Sequence, residues 1–151
     1  MKKIILILIS LLTFGISKAQ ETVMFAPEGE WQNYYWLDGD VIKKSIDGEW
    51  VNWLWLQDDV VKRTVDGEWE NYYWLTEDLV KMAPNGEWEN YYWIQDGVIK
   101  IPQDGEWVNQ YWLEDDVLKE AIDGEWSNLA WIKGSFNLQL LAVIMDDWYG
   151  Y

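Results

Sequence analysis

A period of 19 residues governs this chain. Units begin at Gly29, Gly48, Gly67, Gly86, Gly105 and Gly124 with no insertion or deletion, as in GEWENYYWLTEDLVKMAPN and GEWENYYWIQDGVIKIPQD. Twelve of the 14 tryptophans fall on the third and eighth positions of the unit. The fifth position is Asn in every unit, and the fifteenth is Lys in all five complete ones. Such a period marks an array in which each repeat is one supersecondary element that buries its apolar face only against its neighbours.

Each unit reads as a β-hairpin. The stretch of type EWxNYYWL is aromatic and the later V-(I/V/L)-K stretch is β-branched, and both suit a pleated surface. Between units stands Asp-Gly or Asn-Gly (Asp47-Gly48, Asp66-Gly67, Asn85-Gly86, Asp104-Gly105, Asp123-Gly124). These dipeptides tolerate the positive φ of a tight hairpin turn. Pro27, Pro84 and Pro102 all lie just before this turn, where a missing N–H harms a ladder least.

The odd period constrains the register. Side chains alternate faces residue by residue, so two-residue turns at both ends would need an even period. Either each unit contains a three-residue loop or a bulge, or the faces swap between hairpins. A three-residue loop at the second connection is favoured, with Gly97 and its equivalents Asp40, Asp59, Asp78 and Asp116 at positive φ. That register gives two faces. One carries the Trp31 column, the Asn column, Tyr35 and its equivalents, and the Lys column. The other carries the Trp36 column with Tyr34, Trp53, Ile42, Val61 and Ile99, and is expected to be the core.

A rough balance requires stacking. Four aromatics per unit contribute about 20 kcal/mol and three aliphatics about 6, against an ordering cost of about 28 kcal/mol for 19 residues. The expected fold is all-β: six tandem 19-residue hairpins over residues 29–134, forming an elongated twisted meander or hairpin solenoid. Residues 20–28 form an N-terminal strand or cap, and residues 135–151 form a C-terminal cap, a strand built on FNLQLLAVIM. A closed twelve-strand barrel is the rival, although its lumen exceeds what side chains fill. A β-trefoil would show a 38-residue alternation that these units lack.

Residues 1–19 read as a signal peptide. Lys2 and Lys3 precede an apolar run from Ile4 to Ile16, and Ser17-Lys18-Ala19 sets small residues before a cut that leaves Gln20 first. The run is too short for a spanning helix, so no membrane insertion is expected, and the product is periplasmic, cell-surface or extracellular. Three of the 11 basic residues and none of the 27 acids lie in that segment, leaving eight against 27, a net charge of −19. Nucleic acid and anionic membrane, which are bound through basic side chains, are poor partners for such a chain.

The chain has no His and no Cys. The usual general base, the thiolate nucleophile and most zinc and copper sites are therefore absent. Its acids recur alike in each unit, whereas a catalytic pair is one special place. The expectation is a non-enzymatic protein with no cofactor. The acidic loops offer oxygen for calcium, but turn chemistry explains their Asp equally well.

Period and sequence, as in NGEWENYYWIQDG, resemble the choline- and glucan-binding cell-wall repeats, built on Gly-x-Trp-Tyr-Tyr. The resemblance spans residues 29–134 and implies a hairpin solenoid with aromatic clefts for choline or glucan. Here two residues separate Trp from Tyr-Tyr, and valine and lysine stand where that family has a second Gly-Trp. The MORN-type hairpin repeats are a second likeness. The candidate ligand-binding row is Trp31, Asn33, Tyr35, Trp50, Asn52, Trp69, Asn71, Tyr73, Trp88, Asn90, Tyr92, Trp107, Asn109, Tyr111 and Trp126. Its expected ligand is a glycan or cell-surface polymer. The alternative is a structural or adhesion scaffold with a protein partner, in which lysine stems cover the rings.

Overall fold

A computed structural model describes residues 20–150. The expected signal peptide lies outside the described residues. The strands are β1 (Glu21–Phe25), β2 (Gln32–Asp38), β3 (Val41–Ile46), β4 (Glu49–Gln57), β5 (Val60–Val65), β6 (Glu68–Thr76), β7 (Leu79–Met82), β8 (Glu89–Gln95), β9 (Val98–Gln103), β10 (Glu106–Glu114), β11 (Val117–Ile122) and β12 (Glu125–Lys133), followed by one helix, α1 (Leu138–Tyr149). Hairpin repeats are thus borne out, but the open solenoid or meander is not. Each strand pairs antiparallel with its sequence neighbour, and β1 also pairs with β12 through Thr22–Lys133 and Phe25–Ala130, so the sheet is a closed barrel.

The parity problem is solved by a bulge in each unit, not by a long loop. Ile42 faces Leu54 and Lys43 faces Asn52, which leaves Trp53 unopposed. The same step leaves Tyr34, Tyr72, Tyr91, Gln110 and Leu129 unopposed in the other five units. The extra residue shifts the alternation by one, so a 19-residue unit keeps one face inward all round the ring. The second connection is accordingly a two-residue turn, and its first residue takes the left-handed conformation: Gly39 (φ 64°), Asp58 (53°), Glu77 (41°), Asp96 (51°) and Asp115 (54°). Of the positions expected there, Gly97 has φ 80°, whereas Asp40, Asp59, Asp78 and Asp116 do not have positive φ.

The bulge also reassigns the faces. The sixth and seventh positions both turn inward, so the third and the eighth both point outward. Tyr35, Tyr73, Tyr92 and Tyr111 are buried with Ile42, Leu54, Val61, Ile99 and Leu118. The Trp36 column, expected in the core, lies on the outer wall, with Trp74 and Trp131 among the exposed residues.

The lumen is filled by α1 where a capping strand was expected. Twelve strands tilted by about 40° enclose a ring roughly 24 Å across, and a helix with its side chains takes about 10–12 Å of it. The remaining gap on each side matches one inward side chain. Eight consecutive helix residues, Leu140 to Asp147, are buried. Burial on every side is the mark of a helix enclosed by protein. Gly134 lets the chain turn from β12 over the rim: at φ 101°, a Cβ there would lie 2.5 Å from Cγ of Glu21. Asn137 then caps the helix by accepting from the Leu140 N–H at 2.8 Å, and Gly150 (φ 70°) ends it in the left-handed conformation.

Candidate functional site

Two clusters stand apart from ordinary packing, one on each side of the wall. The inner one joins the helix to the strands. Asp147 accepts from the Tyr35 hydroxyl, the Lys44 ammonium and the Trp53 indole N–H, each at 2.7 Å, and Arg63 stands 3.7 Å away. Asp146 accepts from the hydroxyls of Tyr73 and Tyr92, both at 2.7 Å. Burial pushes the Asp146 carboxyl above its ordinary value, and Asp147 adds to this, while the two tyrosine hydrogen bonds and Arg63 act against it. Burial and the facing carboxylates also raise the hydroxyls of Tyr35 and Tyr73 far above the usual tyrosine value, so both remain donors. Residues from six strands thereby fix the end of one helix, and the arrangement orients the plug.

The outer cluster is periodic. The eighth-position Trp of one unit meets the third-position Trp of the next edge to face: Trp36–Trp50 at 5.8 Å, Trp55–Trp69 at 6.0 Å, Trp74–Trp88 at 5.9 Å, Trp93–Trp107 at 6.0 Å and Trp112–Trp126 at 5.7 Å. Trp131 and Trp31 close the ring at 6.3 Å. The separations lie in the favourable range for aromatic pairs. Over each eighth-position ring of the five complete units stands a lysine: Lys43 on Trp36 at 4.5 Å, Lys62 on Trp55 at 5.0 Å, Lys81 on Trp74 at 4.9 Å, Lys100 on Trp93 at 4.7 Å and Lys119 on Trp112 at 5.0 Å. Asp38, Gln95 and Glu114 hold three of these ammonium groups from the adjoining strand.

The lysines therefore stand over five rings of the Trp36 column and over none of the Trp31 column, although Trp74 stays exposed with Lys81 upon it. Five of the six third-position rings are exposed, at 41% for Trp31, 39% for Trp50, 37% for Trp69 and 38% for both Trp88 and Trp126, whereas Trp107 is half-buried. The Asn column lies beside them; five of its six members face the lysine of the preceding strand, as Asn52 faces Lys43 and Asn90 faces Lys81, while Asn33 faces Met24. A groove of about 520 Å³ is bounded by Asn90, Trp93 and Trp107 and by the turn from Thr76 to Leu79.

Of the expected row, Trp31, Asn33, Trp50, Asn52, Trp69, Asn71, Trp88, Asn90, Trp107, Asn109 and Trp126 share the outer wall. Tyr35, Tyr73, Tyr92 and Tyr111 do not; the bulge turns them into the lumen, against the helix. The eighth-position tryptophans, assigned to the core from the sequence, join the outer cluster instead. Asp146 and Asp147 were not singled out from the sequence. Their signal is a pair of acids closing an apolar stretch bounded by a capping Asn and a terminal Gly, which is a buried helix end with its own polar partners.

Comparison with family models, curated proteins and solved structures found no match.

Proposed function

We propose that this is an exported, non-enzymatic binding module that takes glycan or a related cell-surface polymer on the outer wall of its barrel. The observation that carries the reading is the row of exposed third-position tryptophans, five of the six, each with an Asn amide on the same face. Flat apolar surfaces beside amide donors and acceptors suit the alternating C–H and O–H surfaces of a sugar ring. The likeness of the repeat to choline- and glucan-binding units supports the ligand class, although the closed ring is a different scaffold for it.

The outer wall also supports a protein that faces water. Among the described residues no helix is long and apolar enough to cross a membrane. Lys43, Lys62, Lys81, Lys100 and Lys119 share the outer face with the tryptophans, and a lysine facing lipid at mid-depth costs about 2–4 kcal/mol. The strong negative charge disfavours nucleic acid.

The capped Trp36 column favours the second reading, a scaffold or adhesion protein with a protein partner, because a ring already covered by lysine serves packing. A glycan array probed with the chain from Gln20 onward, read by intrinsic tryptophan fluorescence, tests the choice. Saturable quenching by one glycan class is expected. No response from any glycan, with retained binding to a surface protein, would leave the scaffold reading in place.

A further inference from the structure

The six outer Trp pairs are not equivalent. Among the described residues, five eighth-position rings carry the protein's own ammonium group and the sixth does not. At the seam between β12 and β1, the residue facing Trp131 is Met24. It occupies the place that Lys43, Lys62, Lys81, Lys100 and Lys119 hold opposite their own tryptophans. Trp131 is consequently the most exposed of the exposed tryptophans, at 48%. The partner that steadies the ammonium elsewhere has changed as well: where Asp38, Gln95 and Glu114 stand in their units, the sixth has Lys133.

On the Trp31 side of the same seam lies a cleft of about 250 Å³, which Trp131 itself does not line. It opens where β12 parts from β1 beyond the Phe25–Ala130 pair. Trp31 and Asn128 flank it, and Phe25 and Trp148, stacked at 3.9 Å with their planes 5° apart, form its floor. Among the described residues, no charged one lines it.

We propose that this seam is the principal ligand site and that it takes one neutral sugar residue of a glycan, so that each barrel binds one glycan chain tightly. The proposal rests on the glycan reading above and narrows it. In the five capped units a ligand must displace an ammonium that stands over the ring, and at Lys43, Lys100 and Lys119 an oxygen holds that ammonium as well, whereas the Trp131 face is exposed. A cationic ligand is disfavoured because Lys133 replaces the acid that would hold it. An anionic one meets the net charge of the chain. A neutral ring can stack on Trp131, with Trp31 as the second wall of the corner at 83°. Its hydroxyls then reach Asn128 and Lys133.

The test is an NMR titration of the chain from Gln20 onward with cello-, chito-, xylo- and manno-oligosaccharides, following the tryptophan indole N–H signals. One saturating site per chain is expected, with the Trp131 and Trp31 signals moving first. The double variant Met24→Lys with Lys133→Glu rebuilds the capped geometry and should weaken binding about tenfold or more, a change of about 1.4 kcal/mol per decade. Lys62→Met uncaps Trp55 and should add a second site there. Should the double variant fail to fold, Trp131→Ala and Lys62→Met carry the same contrast. Equal movement of all six pairs, unaffected by these variants, would overturn the seam assignment while leaving the glycan reading intact. Silence with every oligosaccharide would remove both. Movement of the seam signals by an extended peptide alone would make the cleft a protein-docking site and overturn the proposal.

Discussion

Trp131, the last tryptophan of the array, packs edge to face against Trp31, the first, at 6.3 Å. The contact repeats the relationship between every other pair of adjacent units, so the sixth unit meets the first as if it were the next in line. The number of repeats is therefore fixed by closure.

Deleting one unit, residues 67–85, should abolish the native fold even though Asp66 and Gly86 would recreate the turn. An open array loses one unit at modest cost. A closed ring of ten strands is narrower by roughly 4 Å, estimated from the same strand spacing and tilt, and no longer admits α1. Loss of the cooperative thermal transition and of near-ultraviolet circular dichroism is the expected result. A shorter chain that melts cooperatively would contradict closure.

Ile144→Ala should destabilise by about 2–5 kcal/mol, the usual cost of emptying a well-packed core. Ile144 is wholly buried in the middle of the plug, where the surrounding wall has little freedom to collapse. Denaturant unfolding measures the loss, and a value below about 1 kcal/mol would place the helix outside the lumen.

The two outer columns should respond alike. Trp69→Ala and Trp74→Ala each remove one edge-to-face pair, worth about 0.5–1.5 kcal/mol beyond burial, and the second also removes a cation–π contact of about 0.5–1 kcal/mol. Both losses should fall near 1–3 kcal/mol, well short of a core truncation. A much larger loss for Trp74 would restore it to the core.

Asp146 makes stability depend on pH with a definite sign. Its folded value is raised from 3.8 by burial, so the folded state holds the proton more tightly than the unfolded chain does. The contribution is fully present below about 3.8 and is lost as pH rises through the raised folded value. Tyr73, Tyr92, Asp147 and Arg63 are the groups that tune it. Asp146→Asn should remove this component, so wild type should lose stability relative to the variant on raising pH across that window. Parallel curves in guanidinium unfolding would show that the burial carries no such cost.

Much of the fold was legible in the sequence, because the hairpins follow from Asp-Gly turns and aromatic-then-β-branched strands. Closure was not, because it depends on curvature accumulated over all six units and on a plug outside the repeat. The stretch from Leu138 to Met145 reads equally as strand or buried helix by hydrophobicity alone; only Asn137 and Gly150, at its two ends, distinguish them. The bulge was one of the alternatives that the odd period required, yet its position at Tyr34, Trp53 and Tyr72 decides which face every tryptophan takes. Misplacing it put Trp36 inside and Tyr35 outside. The outer Trp and Asn columns were identifiable because they recur, whereas the buried acids occur once and leave no periodic trace.

The turn at Gly134 delivers the final stretch of the chain into the middle of the ring, and this sets the order of events in folding. A helix enclosed by twelve strands cannot enter a finished cylinder whose lumen it fills together with the inward side chains unless the wall yields. The hairpins instead gather around it, and the pairing of β1 with β12 closes the ring. That seam joins residues more than a hundred positions apart, so among the strand pairings it closes the longest loop. Until the last dozen or so residues are available, each hairpin has neighbours but the assembly has no centre.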